Sequence, residues 1–462
     1  MPTPFFSSKK LATLISAAFI FSVTPGMADS LSDIYQLALQ NDATFKLAEA
    51  NLAAGQLNTN VGRASLLPQI NGSASYKQSD GAITQPKPNL NNKTQTMSYG
   101  VSLSQPLFDA AAWYNYQLSK SSVDVSETDF KNEQQALILR AATAYFAALK
   151  GVDDLSTAMA EENALSSSLE QTKQRFQVGL TAITEVHEAQ AAYDSARANR
   201  LIQEGALAIS FEGLEVLTGK NHNALAPLKN DFPVTSPIPA ERISWEEIGK
   251  NHNLDMIRAN YSLDLAKADY KVKRSGHLPT LSANLGYDKS TTDSEKNNLA
   301  LPDSASNGTS ANLTLNVPIF SGGRVSAQRQ QAASRQLAAS EIVNQTQRRV
   351  LQDIRTQYQL VTTGVATIKA RQQAIVSSES ALQATKAGYD VGTRNLVNLL
   401  DAQRKVYAAK RDYLSALYDY VLSGLRLKQS AGTLAGEDVA QLDQWLNKAQ
   451  LVGPSKPTYI AP

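Results

Sequence analysis

A chain of 462 residues with no cysteine has length for a large core or several small domains. It can form no disulfide, no thiolate metal site and no lipidated N-terminus. Bases number 44 and acids 42, a formal net charge of +2, so charge balance selects neither nucleic acid nor an acidic surface as partner.

In chain order, Lys9 and Lys10 precede an apolar run over residues 11–23, and Gly26 and Ala28 follow as small residues. This predicts a signal peptide over residues 1–28, cleaved after Ala28. At about 13 residues the run is shorter than the roughly 20 a spanning helix requires. No later run is long enough for a transmembrane helix. The exported chain therefore stays in the periplasm, leaves the cell, or enters the outer membrane as strands. Cleavage removes two bases and no acid, leaving 42 of each.

The remainder repeats itself at an offset of about 212 residues. Leu66-Leu67-Pro68-Gln69-Ile70 returns as His277-Leu278-Pro279-Thr280-Leu281, and Gln105-Pro106-Leu107-Phe108 as Val317-Pro318-Ile319-Phe320. Phe176-Gln177-Val178-Gly179-Leu180 returns as Tyr389-Asp390-Val391-Gly392-Thr393, with Ala189-Gln190 and Ala402-Gln403 following in register. Ordered blocks point to a duplicated unit: 29–220 and 245–430, separated by a proline-rich insert over 221–244 and followed by 431–462. Pro227, Pro233, Pro237 and Pro239 mark the insert as irregular.

Each copy reads helix, strand, strand, long helix, turn, helix. Strands are predicted at about 68–77, 96–108, 280–288 and 311–320, where apolar and small polar residues alternate. Met97, Tyr99, Val101 and Leu103 alternate with Ser98, Gly100, Ser102 and Ser104. Such a pattern suits lipid on one face and a wet lumen on the other, or a half-buried sheet in a soluble protein; alternation alone does not choose. Residues 78–95 and 289–310, rich in Asn, Ser, Thr, Asp and Gly, read as long surface loops.

Over residues 110–176 there is no proline and one glycine, Gly151. A continuous helix there would run on the order of 100 Å. Ile138, Ala142, Tyr145, Leu149 and Val152 step by four and three, and Val361, Val365, Ile368, Ile375 and Leu382 keep the same frame later, the spacing of a coiled-coil seam. A short helix is predicted near residues 439–449. Four strands cannot close a useful barrel, and open edges in a membrane leave backbone groups unsatisfied. The expectation is an exported homo-oligomer with a small barrel and a long helical tube.

The double arrangement, the strand-end prolines, Thr143-Ala144-Tyr145-Phe146, Gly388-Tyr389-Asp390-Val391-Gly392-Thr393-Arg394 and the paired Val-Gly tips resemble the TolC family over nearly the whole chain beyond residue 28. The resemblance implies a mixed α+β membrane protein: a homotrimer whose twelve strands form one β-barrel, continuous with an α-helical coiled-coil tunnel across the periplasm. It implies an equatorial belt built from the insert and the C-terminal segment, in the outer membrane of a Gram-negative cell. It implies an exit duct of tripartite efflux or type I secretion, recruited by a periplasmic adaptor joined to an inner-membrane pump or ABC exporter. No cofactor, metal or nucleic acid is expected, and no catalysis.

By the same resemblance Asn398 and Asp401 are the gate constriction. They lie three apart on one helix face; the first departs from the family's commoner Asp. Tyr389 and Arg394 match latch positions, with Thr184 and Glu185 as partners; an exposed Arg394–Glu185 pair would contribute under about 1 kcal/mol. Glu188 occupies, in the first copy, the place Asp401 holds in the second. Val178, Gly179, Leu180, Val391, Gly392 and Thr393 are the docking tips for the adaptor. His187, His222, His252 and His277 are scattered and form no metal motif, and no nucleophile elbow or P-loop is present. The rival reading is an exported, non-transporting coiled-coil scaffold or adhesin, which leaves the strand pairs and the duplication unexplained.

Overall fold

The computed structural model of the chain describes residues 29–83, 90–296 and 299–454. The expected signal peptide, residues 1–28, lies outside them, as do the last residues of the tail.

Three helices open the first copy: α1 (Leu31–Asn41), α2 (Ala43–Gln56) and α3 (Asn58–Ala64). Ser30 and Asp33 cap α1 reciprocally, and the Asp42 carboxylate accepts from the Phe45 amide to start α2. The hairpin β1 (Gln69–Ile83) and β2 (Leu90–Phe108) follows, then α4 (Ala110–Gln177) and α5 (Ile183–Thr218). The second copy runs α6 (Arg242–His252), α7 (Leu254–Ser275), β3 (Thr280–Lys296), the two-residue β4 (Leu299–Ala300), β5 (Ser304–Asn316), α8 (Arg324–Asp390) and α9 (Leu396–Ser430). The short α10 (Gly436–Asp443) comes last.

All pairings in the sheet are antiparallel, in the order β1-β2-β3-β5, with β4 extending the row beside β3. The pairing of β2 with β3 stitches the two copies together. Pairing runs much further than the sequence pattern suggested: Ile83 reaches Leu90, and Thr292 reaches Ser304. Much of the expected loops at 78–95 and 289–310 is therefore strand. The sequence there is mostly polar, so no alternation marks it; main-chain hydrogen bonds carry the hairpins outward, joined by side-chain bonds such as Thr96–Thr292. The copies also differ at their second strands. Pro106 is kept within β2 by a register shift between Pro106 and Phe108. By contrast β5 ends at Asn316, and Gly322 and Gly323 take positive φ to turn the chain into α8.

Register gathers Ile70, Tyr76, Met97, Tyr99, Val101, Leu285, Tyr287, Leu313 and Leu315 on one face, and all are exposed. The other face is laced by hydroxyls and amides, as between Ser98 and Ser290 (3.2 Å), Thr96 and Thr292 (3.2 Å), and Ser104 and Asn284 (2.8 Å). No helix packs along either face. The half-buried sheet of a soluble protein would need a covering layer, and the described residues supply none. No helix among them is long and apolar enough to cross a membrane.

The 68 residues of α4 extend about 100 Å. Along it α2, α3 and α7 pack beside the sheet-proximal half, and α5 and α9 beside the distal half; α8 repeats the arrangement against α7 and then α9. The expected seam residues Ile138, Ala142, Tyr145, Leu149 and Val152 are all buried, as are Val361, Ile368 and Ile375. Val365 and Leu382 are half-buried.

At mid-height α1, α10, the insert and the C-terminal segment join one core around Tyr145, Phe146, Leu214 and Leu417. Isolated bridges tie Asp29 to Leu225, Leu225 to Val452 and Leu228 to Leu446. His222 is structural here, its ring nitrogens meeting Asp29 at 2.8 Å and Thr218 at 2.7 Å.

Inside that core Asp153 accepts from the Tyr418 hydroxyl at 2.5 Å. Burial pushes the carboxyl up to about 7, against the lowering effect of the Tyr418 hydrogen bond. The folded chain thus binds more protons than the unfolded chain between the ordinary carboxyl value and about 7. Stability therefore falls as pH rises through that window. Asp153→Asn keeps an acceptor for Tyr418 and removes the titration. Its unfolding free energy, from denaturant titration, should exceed that of wild type at pH 8 by about 2–4 kcal/mol, and the gap should close towards pH 4. A wild type that gains stability over this range relative to the variant contradicts the assignment.

Candidate gate at the helical hairpin tips

The two long hairpins end in the same backbone device. At the first, Gly179 takes φ +77°, the Leu180 amide donates to Arg175 O (2.8 Å) and the Gly179 amide to Phe176 O (2.9 Å). At the second, Gly392 takes φ +78°, Thr393 donates to Gly388 O (2.8 Å) and Gly392 to Tyr389 O (3.1 Å). These six-to-one and five-to-two bonds satisfy the last carbonyls of α4 and α8, and the left-handed residue between them favours glycine. Nothing would meet a Cβ at either glycine, so conformation, not space, is the constraint. The turn leaves Val178, Leu180 and Val391 69%, 70% and 75% exposed.

Beyond the turns α5 and α9 return. Asn395 caps α9, its side chain accepting from the Asn398 amide at 3.0 Å. The pairs Gln403–Ser168 (3.1 Å) and Arg411–Glu161 (3.1 Å) join α9 to α4. They hold the two tips level to within about one turn. Leu165, Leu169, Ala189, Ala192, Leu396, Leu399 and Leu400 form a small core between the hairpins, and Tyr389 enters it from the end of α8.

Asn398 and Asp401 face away from that core and are exposed. With Ser377, Thr385, Arg394 and Lys405 they line a polar groove between α8 and α9. Lys405 lies 3.8 Å from the Asp401 carboxylate, one helical turn on. The pair is exposed and adds little stability, yet it places a cation beside the acid proposed for the constriction. The spacing of four that brings them together is visible in the sequence.

The latch residues are distributed less simply. Tyr389 is 6% exposed and its ring carries the Arg175 guanidinium at 4.9 Å. Burial raises its phenol above the ordinary value, the Arg175 charge opposes this, and Glu185 adds to it. Glu185 itself accepts from the Thr181 hydroxyl. Thr184 and Arg394 are exposed, and Arg394 folds over Gly388. Within one chain Arg394 meets neither Thr184 nor Glu185. Arg175 and Thr181 belong to this cluster and no motif had marked them, because a cation stacked on a ring leaves no fixed sequence spacing. Glu188 is exposed on α5.

Among the described residues no three His, Asp or Glu side chains gather as a metal site. A concavity of about 370 Å³ lies beside the insert, lined by Phe232, Trp245, Tyr420 and Trp445, with the Lys428–Asp438 ion pair in its wall.

The family model described as outer membrane efflux protein matches residues 34–220 and 249–433. Outer membrane protein TolC of Vibrio cholerae is 35% identical over 451 residues, covering 97% of this chain and 99% of that one. The proteases secretion protein PrtF of Dickeya chrysanthemi is 30% identical, covering 96% and 97%. Among solved structures, the Campylobacter jejuni CmeC outer membrane channel superposes with a TM-score of 0.73 at 18% identity, covering 97% and 98%. CusC gives 0.76 at 20%, covering 88% and 92%. Two long hairpins ending in matched glycine turns, a sheet with a bare apolar face and these likenesses agree, and the chain belongs to the outer membrane efflux protein family.

Proposed function

We propose that this chain is one subunit of an outer-membrane exit duct serving efflux, type I secretion or both, closed at rest by its hairpin tips. The carrying observation is the four-stranded ribbon, apolar and uncovered on one face, with β1 and β5 each paired on one side only. Unpaired edges in hydrocarbon cost several kcal/mol per backbone group, so further copies must supply the missing strands. Eight strands give an interior that side chains fill, whereas larger barrels leave a bore. Three copies give twelve, the number implied by the TolC resemblance. From Met97 to Phe108 the apolar face runs about 35 Å along the strand, or about 27 Å high at a tilt of about 40°, matching an outer-membrane barrel's band.

The helices leave the strands with little interruption, so the tube continues the barrel axis and its tips lie in the periplasm. Relatives named for protease secretion and for efflux support the duct reading over a scaffold or adhesin, for which the bare sheet has no purpose. Val178, Leu180 and Val391, held out by their glycine turns, are apolar contacts suited to a periplasmic adaptor, which in turn joins an inner-membrane pump or ABC exporter. In the assembled tube Asn398 and Asp401 form the constriction, Arg394 reaches Thr184 or Glu185 of the next subunit, and opening swings the α8–α9 hairpin outward.

Planar-bilayer recordings of the purified oligomer test this directly. Wild type should give small, cation-preferring steps, and Asp401→Ala should enlarge them or abolish the preference. Lys405→Ala, which bares the Asp401 carboxylate, should strengthen cation preference instead. Correctly assembled oligomers that never conduct would refute the duct. Asn398→Asp should deepen block by divalent cations by about tenfold, as a second carboxylate joins each subunit's share of the ring; unaltered block would remove Asn398 from the constriction.

A further inference from the structure

One contact at the tips is assigned by neither the motifs nor the family resemblance. Tyr389 is the residue by which the last turn of α8 enters the core formed by Leu165 and Leu169 of α4, Ala189 and Ala192 of α5, and Leu396 and Leu399 of α9. Arg175, in the last turn of α4, lies on its ring at 4.9 Å from the centroid. The contact is made between the two hairpins whose separation would open the tube.

Its polar atoms are left incomplete. Arg175 Nε and Tyr389 Oη are both buried and have no hydrogen-bond partner. The neighbouring Thr172 hydroxyl donates to Ser168 O at 2.8 Å, and the Glu185 carboxylate is engaged by Thr181. The attraction of a cation for a ring face grows as water is excluded, while each unpaired buried group is penalised for its lost hydration. The arrangement is therefore favourable only while ring and guanidinium stay together. Once α8 tilts away, Nε and Oη regain water, which offsets part of the cation–ring attraction that is lost.

We propose that Arg175 is the pin of the closed gate: seated on the Tyr389 ring, it holds the end of α8 against α4, and opening begins when the guanidinium leaves the ring. The inference rests on reading the tips as a gate. Arg175 acts by positioning; it need not touch the transported molecule.

The test is single-channel recording of the assembled oligomer, with Asp401→Ala as reference for the gate itself. Arg175→Met, which keeps length and removes charge, and Tyr389→Leu, which removes the ring, should each raise the fraction of time open by about tenfold. Combined, they should raise it no more than either alone. Arg175→Lys, which returns a cation to the ring, should restore closing. Tyr389→Phe keeps the ring and removes the unpaired hydroxyl, so it should open less often than wild type. If Arg175→Met does not assemble, Arg175→Gln is recorded with the same expectation. Wild-type gating in Arg175→Met, alongside altered selectivity in Asp401→Ala, overturns the pin and leaves the gate standing. Opening by Tyr389→Phe as wide as by Tyr389→Leu also overturns it, because the hydroxyl would then carry the contact. If neither Arg175→Met nor Asp401→Ala changes the traces, the gate reading fails and the pin with it.

Discussion

In hydrocarbon, a strand edge must find a partner. Water cannot pair with the exposed amides and carbonyls there, and each one left open costs several kcal/mol. The ribbon β1-β2-β3-β5 carries two such edges and an apolar face that none of the described residues covers. A globular protein would place helices over that face. Here the helices leave the sheet end-on, because α4 and α8 start close behind β2 and β5 and run on for 68 and 67 residues. In the proposed oligomer further copies finish the sheet, and the tube follows from each helix continuing the direction of its strand.

Duplication makes such a subunit economical in information. One strand-strand-helix-turn-helix unit, used twice, yields hairpins whose tips superimpose in their hydrogen bonding, down to glycines at φ +77° and +78°. The copies diverge at the ends of their long helices. Tyr389 closes the end of α8 into the inter-hairpin core, whereas its counterpart Phe176 is exposed at the end of α4. The second copy's hairpin also carries the Asn398 and Asp401 pair, and Lys405 tempers the acid.

The helical tube is held differently at its two working levels. At the belt, large side chains interlock around Tyr145 and Phe146, and Tyr145 donates its hydroxyl to Ala226 O at 2.6 Å. Substantial burial fixes the tube there. Near the tips the core is small, rich in alanine, and supplemented by single contacts such as Ser168–Gln403. The proposed gate thus lies at the end of the hairpins with less buried surface to break.

Much of this was legible in the sequence. Duplication, long helices and seam residues follow from repeated blocks and a period near 3.5, which local sterics and burial impose on any chain. The tips followed from glycine, since few other residues accept a left-handed turn. The strand lengths were legible only in part: alternation marks a strand where one face meets oil, and it falls silent at residues 78–83 and 289–296, where the sequence is mostly polar and main-chain bonds carry the pairing on. What remained hidden was every relation between segments far apart in the chain. The stacking of Arg175 on Tyr389, the pairing of Asp153 with Tyr418 and the bridges drawing Asp29, Leu225 and Val452 together join residues that share no periodicity. The sequence by itself determined which elements form and where they turn, because those are local consequences of backbone geometry and hydrophobic spacing. Only the tertiary structure decided which charges and hydroxyls meet, because that depends on the heights at which four long helices are pinned against one another.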